Sequence, residues 1–276
     1  MISNTKELDA LFGEIGKKLS KKVTLYVFGG AALMFSGLKD ATKDIDVVLE
    51  TREELGTFVN TLKKLGFESR PLTEEYKNLE PAGIYNRQND RFDVFLKIIC
   101  GKLSLSKNMI ARSKIKGTYS NLVVSMLSSE DIFLLKSVFS RAGDYEDCVA
   151  LFKTGINWNT IYDEITDQSK GGASSIWKSY LLERIEEMQE REHIQVPIYN
   201  KLLKDLEQET YPYLAIYLQL YREDLSEEDL LKRTELDKPS LNRFLNLLLK
   251  NKKVKKTSDG KYRLKVRSQQ LFLPGK

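Results

Sequence analysis

Three aspartates in two apolar runs are the residues of this sequence best suited to chemistry. Asp44 and Asp46 stand in the run DIDVVL, and Asp93 stands in the run FDVFL. Side chains two apart on a strand point to the same face, so Asp44 and Asp46 are expected to project together. If the two strands are neighbours, Asp93 reaches the same place, and three carboxylates form an oxygen-rich nest suited to magnesium. Two magnesium ions about 4 Å apart are a common means of nucleotidyl transfer, so the pattern favours an enzyme acting on a nucleoside triphosphate.

The same aspartates have a plainer interpretation. An Asp-x-Asp at a strand end often caps a turn or faces water. The order of the surrounding segments favours the metal site: a strand, Gly29-Gly30, a helix-like stretch over 31–37, a polar loop, Asp-x-Asp and then a third aspartate in an apolar run. A motif gains weight from such a structural context.

The stretch from Gly29 to Asp46, followed by Asp93, resembles the signature of the polymerase-beta-like nucleotidyltransferases. Within it, GGAAL, SG, Thr42 and DID resemble the branch of small prokaryotic nucleotidyltransferases that includes toxin components of toxin-antitoxin and abortive-infection systems. That branch often carries an arginine just after the loop glycine, where this chain has Lys39. The charge is kept, but the bidentate fork of arginine is lost.

The resemblance implies a role for each of these residues. Asp44 and Asp46 would bridge two magnesium ions, and Asp93 would complete the ion that activates the attacking hydroxyl, or would take its proton. The glycines would let the backbone and the amides of the following helix approach the phosphates. The residues of this block that it implies in nucleotide binding are Gly29, Gly30, Ser36, Lys39 and Thr42; Ser36 has helix capping as its alternative.

A second block, residues 128–147, supports the same branch. The letters SSED at its start predict a capped helix, and KSVFSRAGDYED follows. Relatives carry a similar lysine, arginine and aspartate pair, so the resemblance implies that Lys136 acts at the triphosphate and that Arg141, Asp144 and Asp147 bind the nucleotide. The alternative is an ordinary charged helix face with a surface ion pair. The two blocks cover about residues 23–152.

Composition indicates two or three small domains: the chain has 276 residues, of which 41% are hydrophobic and 30% charged. It has no apolar run of 18 residues and no signal-peptide layout, which predicts a cytoplasmic protein without a membrane partner. Cys100 and Cys148 lack a Cys-x-x-Cys spacing and are predicted to be buried free thiols. Because His193 is the only histidine, zinc sites and histidine-based triads are excluded, and carboxylates remain as the catalytic groups.

The positive charge is concentrated near the C-terminus. The whole chain carries a net charge of +5, but residues 250–267 hold nine Lys or Arg and one acid, and the remainder is acidic. This segment follows a predicted helix at 226–233, a turn, and an amphipathic helix that begins at Pro239. It reads as a hairpin, so helix, turn, helix and hairpin together predict a winged helix-turn-helix.

A one-signed charge favours nucleic acid as the partner of this module. The helix would present residues to the groove and the hairpin would meet phosphates. The predicted contact residues are Lys238, Ser240, Asn242, Arg243, Lys252, Lys253, Lys255, Lys256, Lys261 and Arg263. The alternatives are a protein-contact or dimer module and a lysine-rich edge that resists aggregation, and the pattern does not separate DNA from RNA.

Together these observations predict an α/β (α+β) chain: a mixed-sheet nucleotidyltransferase core over 1–155, a helical linker region over 156–208 and a winged helix over 209–276. The predicted reaction is magnesium-dependent transfer of a nucleoside monophosphate to an acceptor hydroxyl, on a structured RNA such as tRNA, on a protein or on a small molecule. Further candidate partners are a cognate antitoxin, which the resemblance suggests, and a second copy of the chain in a homodimer. The alternatives are an inert, nucleotide-sensing DNA-binding regulator or antitoxin-like partner, and an aminoglycoside-type transferase.

Overall fold

The computed structural model describes residues 4–72, 80–139, 143–169, 176–250 and 252–265. The chain divides into two compact units, Met1–Glu164 and Ile165–Lys276. Among the described residues, no helix combines the length and the apolar character that a membrane crossing requires.

The first unit alternates helices and strands. In chain order it contains α1 (Thr5–Lys18), β1 (Val23–Phe28), α2 (Gly29–Phe35), β2 (Ile45–Leu49), α3 (Arg52–Lys64), β3 (Glu68–Arg70), β4 (Gly83–Arg87), β5 (Asp90–Leu96), β6 (Ile98–Ile99), β7 (Leu103–Ser104), α4 (Lys107–Arg112), β8 (Lys114–Tyr119), β9 (Leu122–Met126), α5 (Ser129–Phe139), α6 (Asp144–Phe152) and α7 (Trp158–Gln168), which contains the boundary between the units.

Seven of these strands form one mixed sheet in the order β3-β4-β5-β2-β1-β9-β8. The pairs β2–β5 and β1–β9 are parallel, and the other neighbours are antiparallel. This confirms the predicted α/β class with a mixed sheet. It also confirms that the runs DIDVVL and FDVFL lie on neighbouring strands.

Local sequence signals set several helix ends. Asn4 and Thr51 accept hydrogen bonds from backbone N–H groups in the first turns of α1 and α3. Before α5, the Ser128 hydroxyl accepts a hydrogen bond from the Asp131 N–H, 3.2 Å away, and donates to its carboxylate. The capped start predicted from SSED is therefore confirmed. Such caps satisfy N–H groups that lack a partner inside the helix.

One face of the sheet is aromatic. The Phe92 ring contacts the rings of Phe12 on α1, Phe58 on α3 and Phe67. Because side chains alternate along a strand, the residue after Phe92 points to the opposite face. The helices α1 and α3 therefore cover one side of the sheet, and the aspartates of β2 and β5 lie on the other side.

The described part of the second unit consists of helices and one small hairpin. It contains α8 (Trp177–Glu192), α9 (Tyr199–Asp205), a π-helical turn (Leu206–Thr210), α10 (Tyr211–Arg222), α11 (Glu227–Thr234), α12 (Lys238–Lys250), β10 (Val254–Lys256) and β11 (Tyr262–Leu264). The predicted helical linker region ends at 208, but helical residues continue across the π turn to Arg222. Two helices and a hairpin follow where the sequence predicts them, and their reading as a winged helix-turn-helix stays a prediction.

The C-terminal elements share a hydrophobic core. Leu241, Phe244, Leu245 and Leu248 on α12 pack with buried residues of α10, α11 and the hairpin. Leu225 and Tyr262 are joined by a β-bridge, which ties the start of α11 to β11. Their burial confirms the amphipathic spacing of the helix after Pro239 and leaves its polar face outside the core.

Candidate active site

Asp46 and Asp93 lie side by side. Asp46 on β2 is paired in register with Asp93 on the parallel strand β5, and residues in register on neighbouring strands have side chains on the same face about 4.8 Å apart. Both residues are buried. Phe28 and Phe95, whose ring centroids are 5.6 Å apart, share this face. The two carboxylates therefore project together from one face of the sheet.

Gly29 packs directly against one of these carboxylates. Its φ angle is +65°, and a Cβ atom at this position would lie 2.1 Å from Asp46 Oδ2. A Cβ atom on Gly30 would lie 2.4 Å from the Thr42 Oγ1 atom. Both glycines belong to the first turn of α2, whereas a helix is predicted only from residue 31. The glycine pair thus lets the helix start close to the aspartate and to the loop that precedes β2.

The loop before β2 is ordered by Thr42, whose hydroxyl donates a 2.9 Å hydrogen bond to the Asp44 carbonyl. Asp44 is half-buried and immediately precedes the strand, rather than standing in it as predicted. Ser36 is exposed and donates to the Ala32 carbonyl at the end of α2, which is the capping alternative for that residue.

Asp93 is held by a residue that the sequence reasoning missed. The Arg91 Nε and Nη2 atoms donate to Asp93 Oδ1 and Oδ2 over 2.7 and 2.9 Å. A bidentate fork of this kind is among the stronger hydrogen-bonded ion pairs. The signal was present in the sequence: Arg91 stands two residues before Asp93, so strand alternation places both on one face.

The carboxylates of Asp46 and Asp93 form a pair of ligands that suits magnesium. Among the described residues, no three Asp, Glu, His or Cys side chains are grouped closely enough to hold a metal ion. The expected nest of Asp44, Asp46 and Asp93 is therefore not preassembled, because Asp44 precedes the strand and Arg91 engages Asp93. Magnesium is usually held by one or two carboxylates together with substrate phosphates and water, and Asp46 and Asp93 fit that pattern.

The second sequence block meets the first through a cluster of four charges. Lys136 Nζ on α5 lies 2.7 Å from Asp144 Oδ1 and 2.7 Å from Asp147 Oδ2, both on α6. Lys39 Nζ, from the loop after α2, lies 3.0 Å from Asp147 Oδ1. Two lysines and two aspartates make this cluster neutral. Arg141, also predicted to bind nucleotide, lies outside the described residues.

The two lysines differ in their access to water. The Lys136 side chain is 8% exposed, whereas that of Lys39 is 37% exposed. Burial opposes the charge of Lys136, but Asp144 and Asp147 outweigh it and raise the pKa of the ammonium group. Burial likewise opposes the charge of Asp147, yet Lys136 and Lys39 together lower the pKa of its carboxyl. Lys136 and Asp147 are thus both ionised at neutral pH.

We expect Asp147→Asn to lower the free energy of unfolding by about 2 kcal/mol at pH 7, since it removes charge-assisted hydrogen bonds to two lysines. A carboxyl whose pKa is lowered by folding stabilises the protein above its ordinary pKa and loses that contribution as the pH falls. The difference between wild type and variant should therefore shrink between about pH 5 and pH 2. Urea unfolding across that range measures it. The exposed Asp163→Asn is the control, and a pH-independent difference would contradict the prediction.

The predicted nucleic-acid contacts lie on the surface of the second unit. Lys255 and Arg263 are directly opposite each other on the hairpin, and both are exposed. Like charges in such a cross-strand pair are destabilising, and an ion pair of Arg263 with Asp224 offsets this. The other predicted contacts that are exposed are Lys238, Arg243, Lys252, Lys253, Lys256 and Lys261. Ser240 and Asn242 are half-buried.

Comparison with known proteins gives limited similarity. No protein-family model and no curated protein matches the chain. The crystal structure of ANT(2")-Ia in complex with adenylyl-2"-tobramycin is similar with a TM-score of 0.43 and 12% identity, over 59% of this chain and 97% of that one. The solution structure of the antibiotic-resistance factor ANT(2'')-Ia gives 0.41 and 10%, over 69% and 98%. A likeness of this degree does not carry a function from one chain to another.

Proposed function

We propose that the first unit is a nucleotidyltransferase that moves a nucleoside monophosphate from a nucleoside triphosphate to an acceptor hydroxyl. The observation that carries the proposal is the register of Asp46 with Asp93 on neighbouring parallel strands. Gly29 supports it, because its missing Cβ leaves room for the Asp46 carboxylate at the end of β1. The resemblance of both sequence blocks to polymerase-beta-like nucleotidyltransferases points to the same reaction.

The proposed reaction is a displacement at the α-phosphorus of the nucleoside triphosphate. The acceptor oxygen attacks the α-phosphorus, the bond to the β-phosphate breaks and pyrophosphate leaves, while the hydroxyl proton passes to Asp93. Asp46 and Asp93, with Asp44 beside them, would hold magnesium. A bound magnesium ion supplies neutralisation of phosphate charge and lowers the pKa of the attacking hydroxyl.

Lys39 is the better candidate for a direct triphosphate contact, because it is the more exposed lysine of the cluster. Its ammonium group can donate to a phosphate oxygen while Asp147 continues to orient it. Lys136, held on Asp144 and Asp147, then acts as the buried support of that arrangement. The direct triphosphate contact is thus assigned to Lys39, whereas the sequence resemblance assigns it to Lys136. A Lys39→Met variant that keeps its stability but loses nucleotidyl transfer would support the assignment to Lys39.

The proposed acceptor is a structured RNA. The exposed basic residues of the hairpin, among them Lys255 and Arg263 on opposite strands, support a phosphate-backbone contact. The cognate antitoxin and the homodimer stay predictions from the sequence. The contrasting candidate is the DNA-binding regulator, which the same basic surface would serve without chemistry.

The test is incubation of the pure protein with magnesium, each of the four radiolabelled nucleoside triphosphates and total cellular RNA. The wild type is expected to incorporate label into RNA, and Asp46→Asn is expected to lower this incorporation at least about 10³-fold. The reason is that a bound metal ion stabilises the charge of the transition state by several kcal/mol. Asp163→Asn, an exposed aspartate of the same unit, should leave the incorporation unchanged.

The outcomes separate the candidates. Label in protein or in a small molecule would keep the transferase and replace the acceptor. No label anywhere and no pyrophosphate release, with salt-dependent DNA binding that survives Asp46→Asn, would establish the regulator instead.

The nucleic-acid surface has its own test. Fluorescence anisotropy with a labelled RNA hairpin, and with a DNA duplex of the same sequence, should show weaker binding for Lys255→Ser/Lys261→Ser and a salt slope reduced by about one per lost phosphate contact. Lys63→Ser/Lys64→Ser removes the same charge from exposed positions at the end of α3 and is the matched control. Equal weakening by both double variants would contradict a specific surface on the hairpin.

A further inference from the structure

We infer that Arg91 is a positioning residue of the candidate site. Before a divalent cation binds, the Arg91 guanidinium holds the Asp93 carboxylate. When the cation binds that carboxylate, the guanidinium moves to the Asn86 side chain. The inference rests on the proposed function, because it requires a cation at Asp46 and Asp93. It concerns what the chain itself does to admit that cation.

The first observation is that Arg91 engages both oxygens of Asp93. The fork spans 2.7 and 2.9 Å, and the Asp93 side chain is only 4% exposed. A cation bound to this carboxylate must share its two oxygens with the guanidinium. The cation would also repel the guanidinium, since two positive groups would share one buried carboxylate.

The second observation is an acceptor beside Arg91 that is ready to receive it. Asn86 on β4 pairs directly with Arg91 on β5 in the antiparallel register, so the two side chains share a face with their Cβ atoms about 5 Å apart. The Asn86 Oδ1 atom is buried and accepts no hydrogen bond from any residue that the structure describes. A buried acceptor without a donor is costly, so a donor that arrives there is stabilising.

The exposure of the two ion-pair partners makes the movement feasible. The Arg91 side chain is 26% exposed, against 4% for Asp93. The Arg91 side chain is therefore partly in water, and a turn towards β4 would leave the aromatic core on the other side of the sheet unchanged. Before the cation binds, the fork also offsets the repulsion between the adjacent carboxylates of Asp46 and Asp93.

Manganese binding to the protein alone tests the inference, measured by electron paramagnetic resonance of free Mn²⁺. Arg91→Met is expected to bind manganese about tenfold more tightly than the wild type, the equivalent of one charge-assisted hydrogen bond that no longer competes. Asn86→Leu is expected to bind it more weakly, because Arg91 loses its second position. In the Arg91→Met background, Asn86→Leu should leave the manganese affinity unchanged. A double-mutant cycle then gives a non-zero coupling energy between residues 86 and 91.

The controls distinguish this inference from the proposed function. Arg52→Met removes the same charge at an exposed position of α3 and should leave manganese affinity unchanged. If wild type and Arg91→Met bind manganese alike, Asp46→Asn abolishes the binding, and Asn86→Leu has no effect, the inference alone is overturned. If no variant binds manganese, with or without a nucleoside triphosphate, the metal site fails and the inference with it.

A purely structural Arg91 would give the opposite sign. Its removal would then loosen the site and weaken manganese binding, with no coupling to Asn86. Should Arg91→Met lose its cooperative thermal transition, Arg91→Lys decides the question. Lysine keeps the charge but lacks the fork, so manganese binding about threefold tighter supports the inference, and an unchanged or weaker affinity overturns it.

Discussion

Gly29→Ala is expected to destabilise the first unit by about 2 kcal/mol or more and to lower nucleotidyl transfer at least about a hundredfold. The added Cβ would lie 2.1 Å from Asp46 Oδ2, and the φ angle of +65° disfavours any side chain. Either the carboxylate or the start of α2 must move. A displacement of about 1 Å at the reacting groups is enough for a loss of that size. Urea unfolding and the label-incorporation assay measure the two effects.

Gly37→Ala separates backbone strain from the clash. Gly37 has a φ angle of +72°, but a Cβ atom there would meet nothing within 4 Å among the described residues. Its replacement should cost only the strain of about 1 kcal/mol and leave transfer nearly unchanged. The excess destabilisation of Gly29→Ala should vanish in an Asp46→Ala background, because the clashing carboxylate is gone. Equal losses for the two glycine variants would contradict the packing argument.

Arg112→Met is expected to lower the free energy of unfolding by about 3–5 kcal/mol, the usual cost of leaving buried charges uncompensated. The Arg112 Nη2 atom lies 2.5 Å from Asp131 Oδ1 and 2.5 Å from Glu164 Oε2, and both carboxylates are 1% exposed. The variant leaves two buried carboxylates without this shared partner. Urea unfolding of the full chain measures the change.

The same variant should recover part of its stability in acid. Burial raises the pKa of the Asp131 carboxyl even with Arg112 present. A carboxyl whose pKa is raised by folding favours the folded state as the pH falls, because the folded protein binds the proton more readily than the unfolded chain. The deficit of Arg112→Met should therefore shrink from pH 7 towards about pH 4. The control is Lys21→Met, because an exposed pair such as that with Glu53 contributes little to stability. A deficit that grows in acid would contradict this account.

Much of the architecture could be predicted because its signals are local. Alternation of apolar residues placed Asp46 and Asp93 in strands, and the SSED letters predicted the cap that Ser128 makes on α5. The two cysteines are buried and free as predicted. Helix boundaries were less well predicted around Gly29 and residue 208. Glycine usually disfavours a helix, but Gly29 starts α2 because the position packs closely against Asp46. Near residue 208 the chain stays helical through a π-helical turn, although its polar residues suggest a helix end.

By itself the sequence determined which side chains can share a face, since strand and helix periodicity depend only on neighbours along the chain. Tertiary structure alone decided which faces meet. Lys39 and Asp147 are 108 residues apart, and only the packing of α6 near the loop after α2 joins them. The order of the strands decided in the same way that Asp93 lies beside Asp46, and that Asn86 lies opposite Arg91. Contacts between distant segments depend on how the whole core packs, and no local pattern records that choice.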